Sequence, residues 1–438
     1  MKMKDITLSR LIAVLLGVIA VLSLVSCEDD DPPTYDPQFD VPTAAQNVVV
    51  LSYNEFQHAT DVVIASDDTT RMEVSVDYLL SIDADISKQD YICVWRTKDT
   101  EPFVRKVTSV KNTGKVLALN TEDADISAVF EDADVELLMT LRVFEPKVPG
   151  DIYTRYSDDN IIHPAVVIIQ DEQGDVAAYS AEELMAIDPQ WNIISIDRDM
   201  SVTDESDMPV TVKSGHISVN SGMSIVLTID NHKLRRYECV ADGTMSIDAV
   251  ANIRGERHAS NQTSKELISQ MPVYTLVYWV GKVPIGVRVE TSSGMEIESE
   301  NTSNLLFDLP MKFNADFRIG SLFRTNWSAV KDIASAVDAM PQNVALGSGI
   351  DASSTFGVYV VNKVTIYDDI VTSVKFGHSI STTWKSDGTN VDSTGRFRFG
   401  GTVDDSVNIA WWNLDSWNSQ FCIIDTYLWR NIFAKTGE

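Results

Sequence analysis

The dominant pattern along this chain is alternation of apolar and polar side chains, the mark of half-buried strands. Met72-Glu73-Val74-Ser75-Val76-Asp77-Tyr78 is one clear case. Met245, Ile247, Ala249, Ala251 and Ile253 form another, mostly with polar residues between them. The longest series runs through Leu305, Phe307, Leu309, Met311, Phe313, Ala315, Phe317 and Ile319. Its intervening residues are mostly polar, among them Asp308, Lys312, Asn314, Asp316 and Arg318. At about 3.3 Å per residue this series extends roughly 50 Å, far beyond a usual strand. Pro310 lies on its other face and has no amide to donate, which predicts an edge position or a bulge. The continuous apolar face predicts a sandwich core. A lipid-lined groove, or a partner subunit docked by strand addition, is the other use of such a face.

Turn residues cut the alternation into runs. Asn220-Ser221-Gly222, Ala241-Asp242-Gly243, Val280-Gly281-Lys282 and Ser292-Ser293-Gly294 predict successive hairpins from 209 to 320, an antiparallel meander with one apolar face. Helices are few. Ser180-Ala181-Glu182-Glu183 matches a capping box, with Leu184 and Ile187 on one face. Val330, Ile333, Val337 and Met340 stand near helical spacing over 328–340, stopped by Pro341. A short third helix is expected within 125–132. The fold class is therefore mainly β: antiparallel β-sandwich domains with a few short helices in the connections. Strands near 48–52, 72–82, 91–96, 115–119, 135–144 and 164–169 predict an immunoglobulin-like sandwich over 46–172, without the Cys-Trp-Cys hallmark. A joint near 180–189 leads to a larger, long-stranded antiparallel domain over 190–438, read either as one domain or as two divided near 321–345.

The first 45 residues read differently. Met1 to Arg10 carries Lys2, Lys4 and Arg10 against Asp5, and Leu11 to Val25 is almost free of polar side chains. A basic start and a short apolar core make a secretory signal over 1–26, and the run is short for a spanning helix. Leu24-Val25-Ser26-Cys27 closes it, followed by Glu28-Asp29-Asp30-Asp31. This stretch resembles the lipobox of bacterial lipoproteins, and the acids after the cysteine resemble the export signal of Bacteroidota surface lipoproteins. The resemblance is confined to these opening residues. It implies that Cys27 becomes the first residue of the mature chain, acylated on its sulfur and amino group. It also implies anchorage in the outer membrane with display at the cell surface. Pro32, Pro33, Pro37 and Pro42 among acids make 27–45 an extended tether.

Removing 1–26 from the 438-residue chain leaves 412 residues, enough for two or three domains, and an apolar content of 44% supplies packed cores. The formal charge of −29 becomes −31, because the signal carries two net positive charges. Such a field repels nucleic acid and anionic lipid headgroups. Cys93, Cys239 and Cys422 sit far apart among apolar neighbours, which predicts buried inert thiols and leaves one bridge open.

Candidate chemistry is sparse. The six histidines (58, 163, 216, 232, 258, 378) show no metal-ligand spacing. Asp387, Asn390 and Asp392 offer alternating oxygens for calcium but lack the EF-hand order, so a polar turn is the better reading. No nucleophile elbow or phosphate loop is present, so no cofactor and no catalytic residue is assigned. A hydrolase without local motif is the third functional reading. Six of nine tryptophans lie at or beyond Trp327. Adjacent Trp411 and Trp412 point to opposite faces of a strand. With Trp417, Asn413, Asp415 and Asn418 they form the best candidate ligand site, a sugar platform, against the alternative that these rings are core. The expected class is a lipid-anchored, non-catalytic binding or structural lipoprotein capturing polysaccharide. A fimbria-like assembly subunit contacting other surface proteins is the alternative.

Overall fold

The computed structural model describes residues 42–139, 161–188, 191–202, 210–254, 261–268, 271–300, 305–346, 349–367, 369–386, 391–409 and 412–430. The protein is mainly β, with antiparallel sheets and few helices, as the alternation predicts. The strands begin with β1 (Thr43–Ala44), β2 (Val48–Ser52), β3 (Val62–Ile64) and β4 (Arg71–Ser75), followed by α1 (Val76–Ser81). Next come β5 (Tyr91–Trp95), β6 (Phe103–Asn112), β7 (Val116–Asp123), α2 (Ile126–Val129) and β8 (Phe130–Leu138). After β9 (Ile161–Ile162) lie β10 (Val166–Gln170), β11 (Val176–Ser180), α3 (Ala181–Ile187) and β12 (Ile194–Val202). The long strands follow: β13 (Val210–Asp230), β14 (Lys233–Arg254), β15 (Asn261–Ile268), β16 (Val273–Val280), β17 (Val283–Glu300) and β18 (Leu305–Phe323). The remainder are β19 (Trp327–Ala339), β20 (Gln342–Leu346), β21 (Asp351–Ile366), β22 (Ile370–Ser386), β23 (Val391–Ile409) and β24 (Trp412–Arg430).

These strands form three sheets. A small sheet has the order β2-β5-β6-β7-β4-β3, with β2 parallel to β5. Tyr78 and Leu79 of α1 join its core. The first long sheet has the order β1-β8-β13-β14-β18-β19, and the second β11-β10-β16-β17-β21-β22-β23-β24. Strands expected to belong to the domain over 46–172 are shared among all three: β8 pairs with β13, and β10 with β16. The described residues cluster as one compact unit. Central strands of up to 22 residues run about 70 Å.

The two long sheets bury their inner faces against each other. The odd-numbered side chains of β18 from Leu305 to Phe323 are buried almost throughout, and so are the even-numbered ones of β22 from Ile370 to Trp384. Aromatic pairs fill the interface: Phe307 with Trp384 at 5.1 Å, Phe317 with Phe376 at 4.6 Å, and Phe313 with Phe397 at 5.2 Å. The long amphipathic strand is thus sandwich core. Among the described residues no helix is long and apolar enough to cross a membrane.

Several local expectations are corrected. Asn220-Ser221-Gly222 and Ala241-Asp242-Gly243 are not turns: both lie inside long strands, and Ser221 is the cross-strand partner of Gly243. A Cβ on Gly243 would collide with the Asn220 carbonyl, so this glycine serves close strand approach rather than reversal. Ser292-Ser293-Gly294 is likewise inside β17, with the Tyr359 ring over Gly294. The actual reversal between β13 and β14 is Asn231-His232, both at positive φ (50° and 59°), as a two-residue hairpin of the primed type requires. Gly281 (φ 61°) does make the expected hairpin.

The helix expected over 328–340 is strand β19, paired with β18. Ile333 and Val337 stand four apart, a spacing that fits one face of either structure, and pairing decides between them. The strand expected over 72–82 ends at Ser75, whose hydroxyl accepts from the Tyr78 amide and starts α1. Pro310 is neither at an edge nor at a bulge in its pairing with β14. Instead its other neighbour is interrupted, because β19 ends opposite Met311 and β20 begins opposite Asp308. The capping box of α3 forms as expected, and Leu184 is buried, but Ile187 is exposed. Cys93 and Cys239 are buried and free, whereas Cys422 is exposed.

Phe313→Ala is expected to cost about 3–5 kcal/mol in urea unfolding, because it empties the centre of the inter-sheet layer. Lys312→Ala, one residue away on the outer face in an exposed ion pair with Asp248, is expected to cost under about 1 kcal/mol.

Candidate functional site

The C-terminal edge of the second sheet carries the candidate site. Among the described residues β24 pairs only with β23, and three register shifts interrupt that pairing: at Gly395/Arg396, Phe399/Gly400 and Asp405/Val407. Bulges re-aim side chains. Trp429 pairs with Gly395 and Tyr427 with Arg396, so Leu428 has no counterpart. Trp429 therefore turns inward, 4% exposed and lying over Gly395, while Tyr427 turns outward at 46%. A regular strand would put both on one face. Cys422, next to buried Phe421, is exposed, as plain alternation places it.

The expected platform residues divide. Trp411 lies outside the described residues. Trp412 and Asn413 pair through their backbones with Ile409 and Asn408, and their side chains, with that of Asp415, lie outside the described residues. Trp417 is half-buried and stacks on Trp327 of β19, with centroids 5.5 Å apart and planes 13° apart. Trp327 in turn meets Phe323 and Tyr237. Trp417 thus closes the open side of the sandwich between two edge strands. Asn418 is exposed and donates to Asp404. In the calcium candidate, Asp387 and Asn390 lie outside the described residues, and Asp392 is exposed at the start of β23. Among the described residues no three His, Cys, Asp or Glu side chains are placed to hold a metal. His216 meets Asp197 at 2.7 Å and Asp199 at 3.0 Å, but through opposite ring nitrogens.

Beneath the tryptophan pair lies a buried carboxyl that sequence reasoning missed. Asp405, the register partner of Trp417, is 2% exposed. Its Oδ1 accepts from Thr372 Oγ1 at 2.5 Å and from Ser321 Oγ at 3.0 Å. Tyr237 is hydrogen-bonded to the same threonine at 2.8 Å. Oδ2 is buried without a partner. Burial pushes the carboxyl up to about 7. Further along β22, His378 packs against both Phe313 and Phe397, with neither ring nitrogen hydrogen-bonded. Burial pushes this imidazole down to about 4. The available signal was parity: both residues occupy inward positions in runs that are otherwise mostly apolar.

The outer face of β23–β24 holds the other unpredicted group. Among the described residues Tyr427 is the one exposed large aromatic side chain. The guanidinium carbon of Arg430 lies 3.5 Å from its ring centroid and that of Arg396 5.7 Å, a cation–π arrangement. Arg396 donates two hydrogen bonds to Asp425, and Arg398 Nε lies 3.5 Å from the same carboxylate. The Arg396 bonds hold Asp425 below its ordinary carboxylate value. Three guanidiniums, one carboxylate and an exposed ring share this face. Arg396-Phe397-Arg398 at period two was the sequence signal for it. Such a group can stack on a flat ligand and fork onto its oxygens.

No known family matches the chain, and neither a curated protein nor a solved structure resembles it significantly.

Trp417→Ala is expected to lower the melting temperature, as loss of an inter-sheet stack does, which checks its packing role directly. The two buried titrating groups oppose each other. Asp405, raised from 3.8, stabilises the fold fully below that value and loses its contribution as pH rises toward about 7. His378, lowered from 6.5, stabilises fully above that value and loses its contribution as pH falls toward about 4. Between these limits the slopes largely cancel. His378→Phe is therefore expected to make stability fall toward neutral pH relative to the parent. Asp405→Asn is expected to make it fall toward acid, each by on the order of 3 kcal/mol across the window. Urea midpoints over that range read both, and parallel profiles for all three proteins would refute the pairing.

Proposed function

We propose that this protein is a lipid-anchored, non-catalytic binding lipoprotein of the outer membrane. In this reading Cys27 carries the acyl chains, the acidic Pro-rich stretch over 27–45 lifts the folded body from the bilayer, and that body captures polysaccharide at the cell surface. The observation that carries the binding part is Tyr427. A large aromatic side chain 46% exposed on a sheet, with the Arg430 guanidinium over its ring, suits packing of the remaining ring surface and edge against a sugar. The site lies on the strand singled out by its tryptophans, β24, but at the opposite end and on the outer face.

The assembly reading has its own observation. β24 is 19 residues long and, among the described residues, pairs on one side only, an edge suited to strand addition. Three bulges along that edge weigh against it, since bulges twist an edge away from regular pairing.

Two experiments test the proposal. Cys27→Ala is expected to abolish fatty-acid labelling in cells, and retained labelling would refute the anchor. Tyr427→Ala is expected to weaken retention on a responsive polysaccharide about tenfold, or ~1.4 kcal/mol, with the melting temperature unchanged. Undiminished retention would remove Tyr427 from the site. Heat-resistant oligomers in surface extracts would instead favour assembly.

A further inference from the structure

We infer that the outer face of β23–β24 selects anionic polysaccharide, chains whose sugars carry carboxylate or sulfate groups, with Arg398 and Arg430 as the contacting cations. This rests on the reading of the Tyr427 face as a glycan site and names its ligand class.

The chain has 64 acidic and 35 basic residues, yet this one patch holds three arginines against Asp425. Their duties differ. Arg396 is engaged by Asp425 through two hydrogen bonds and so acts as a support. Arg398 lies 3.5 Å from that carboxylate, its side chain 47% exposed, which leaves donors free. Arg430 meets no carboxylate among the described residues and stacks on Tyr427. Stacking uses the face of a guanidinium and leaves its in-plane N–H groups available. Those groups form the planar fork that fits a carboxylate or sulfate.

The surrounding face fits sugar hydroxyls. Arg396 and Arg398 pair across the sheet with Ser381 and Ser379, and Ser381 is hydrogen-bonded to Thr355 on the next strand. A strip of hydroxyls therefore leads away from the arginines over β22 and β21. The negative field of the whole molecule does not forbid a polyanion here. At about 0.15 M salt the screening length is ~8 Å, so distant acids are damped while contact pairs persist.

The test uses the full-length chain in neutral detergent, applied to immobilised polygalacturonate, dextran sulfate, neutral dextran and a single-stranded oligonucleotide. Retention on both anionic polysaccharides at about 0.15 M salt is expected, with release near 1 M. Arg398→Ala combined with Arg430→Ala is expected to weaken it at least about tenfold. Lys312→Ala, on the other long sheet, is expected to leave it unchanged. Should the double variant lose its fold, Arg430→Gln alone keeps the side-chain length, removes the charge, and is expected to weaken retention. Equal retention on neutral dextran, insensitive to these changes, would overturn the anionic preference while leaving glycan capture standing. Retention on no polysaccharide would overturn both. Oligonucleotide binding as tight as that of the polysaccharides would also overturn the inference.

Discussion

Everything in this molecule depends on two long inner faces covering each other without a break. β18 and the facing strands β22 and β23 bury alternate, mostly apolar side chains for almost their whole length, and the layer between them runs from Phe307 and Trp384 to Ser321 and Asp405. Because side chains alternate with period two, a slip of one residue would turn every buried ring into solvent. Long strands multiply that penalty, so register is fixed by the layer and not by the turns. This explains the tolerance of features that would end a shorter strand. Pro310 sits where the neighbouring strand is interrupted, and Gly243 sits where two backbones approach closely.

The alternation itself was legible in the residues, and so was the class of fold. From Leu305 to Ile319 the buried positions are those that the pattern marks. Turn chemistry was less faithful. Asn220-Ser221-Gly222 and Ala241-Asp242-Gly243 carry turn residues for a different reason, since they lie opposite one another in a band of small side chains across the first sheet. The true reversal at Asn231-His232 lacks glycine and relies on residues that tolerate positive φ. Over 328–340 the two periods coincide at Ile333 and Val337, so only the neighbour β18 could decide.

The Tyr427 face was not legible in the residues. Tryptophan enrichment led to β24, yet the bulges that send Trp429 in and Tyr427 out leave no mark in local composition. Side chains on a bulged edge escape simple parity, and this is also where binding groups are most readily re-aimed without disturbing a core. The same edge therefore does two things. Its irregularity discourages pairing with another chain, and it presents an aromatic and its cations on a rigid support.

The pairing of Val166 with Val277, and of Leu138 with Ser224, carries a consequence for how the chain reaches this state. Contacts so distant in sequence must wait for loop closure, which places the fold among slow, non-local topologies. While they wait, strands with a fully apolar side lie open to other copies of the same sequence. Mutual repulsion between chains of charge −29 keeps such intermediates apart without contributing to any native contact. The acidity of this protein thus opposes association at the stage when its long strands are most exposed.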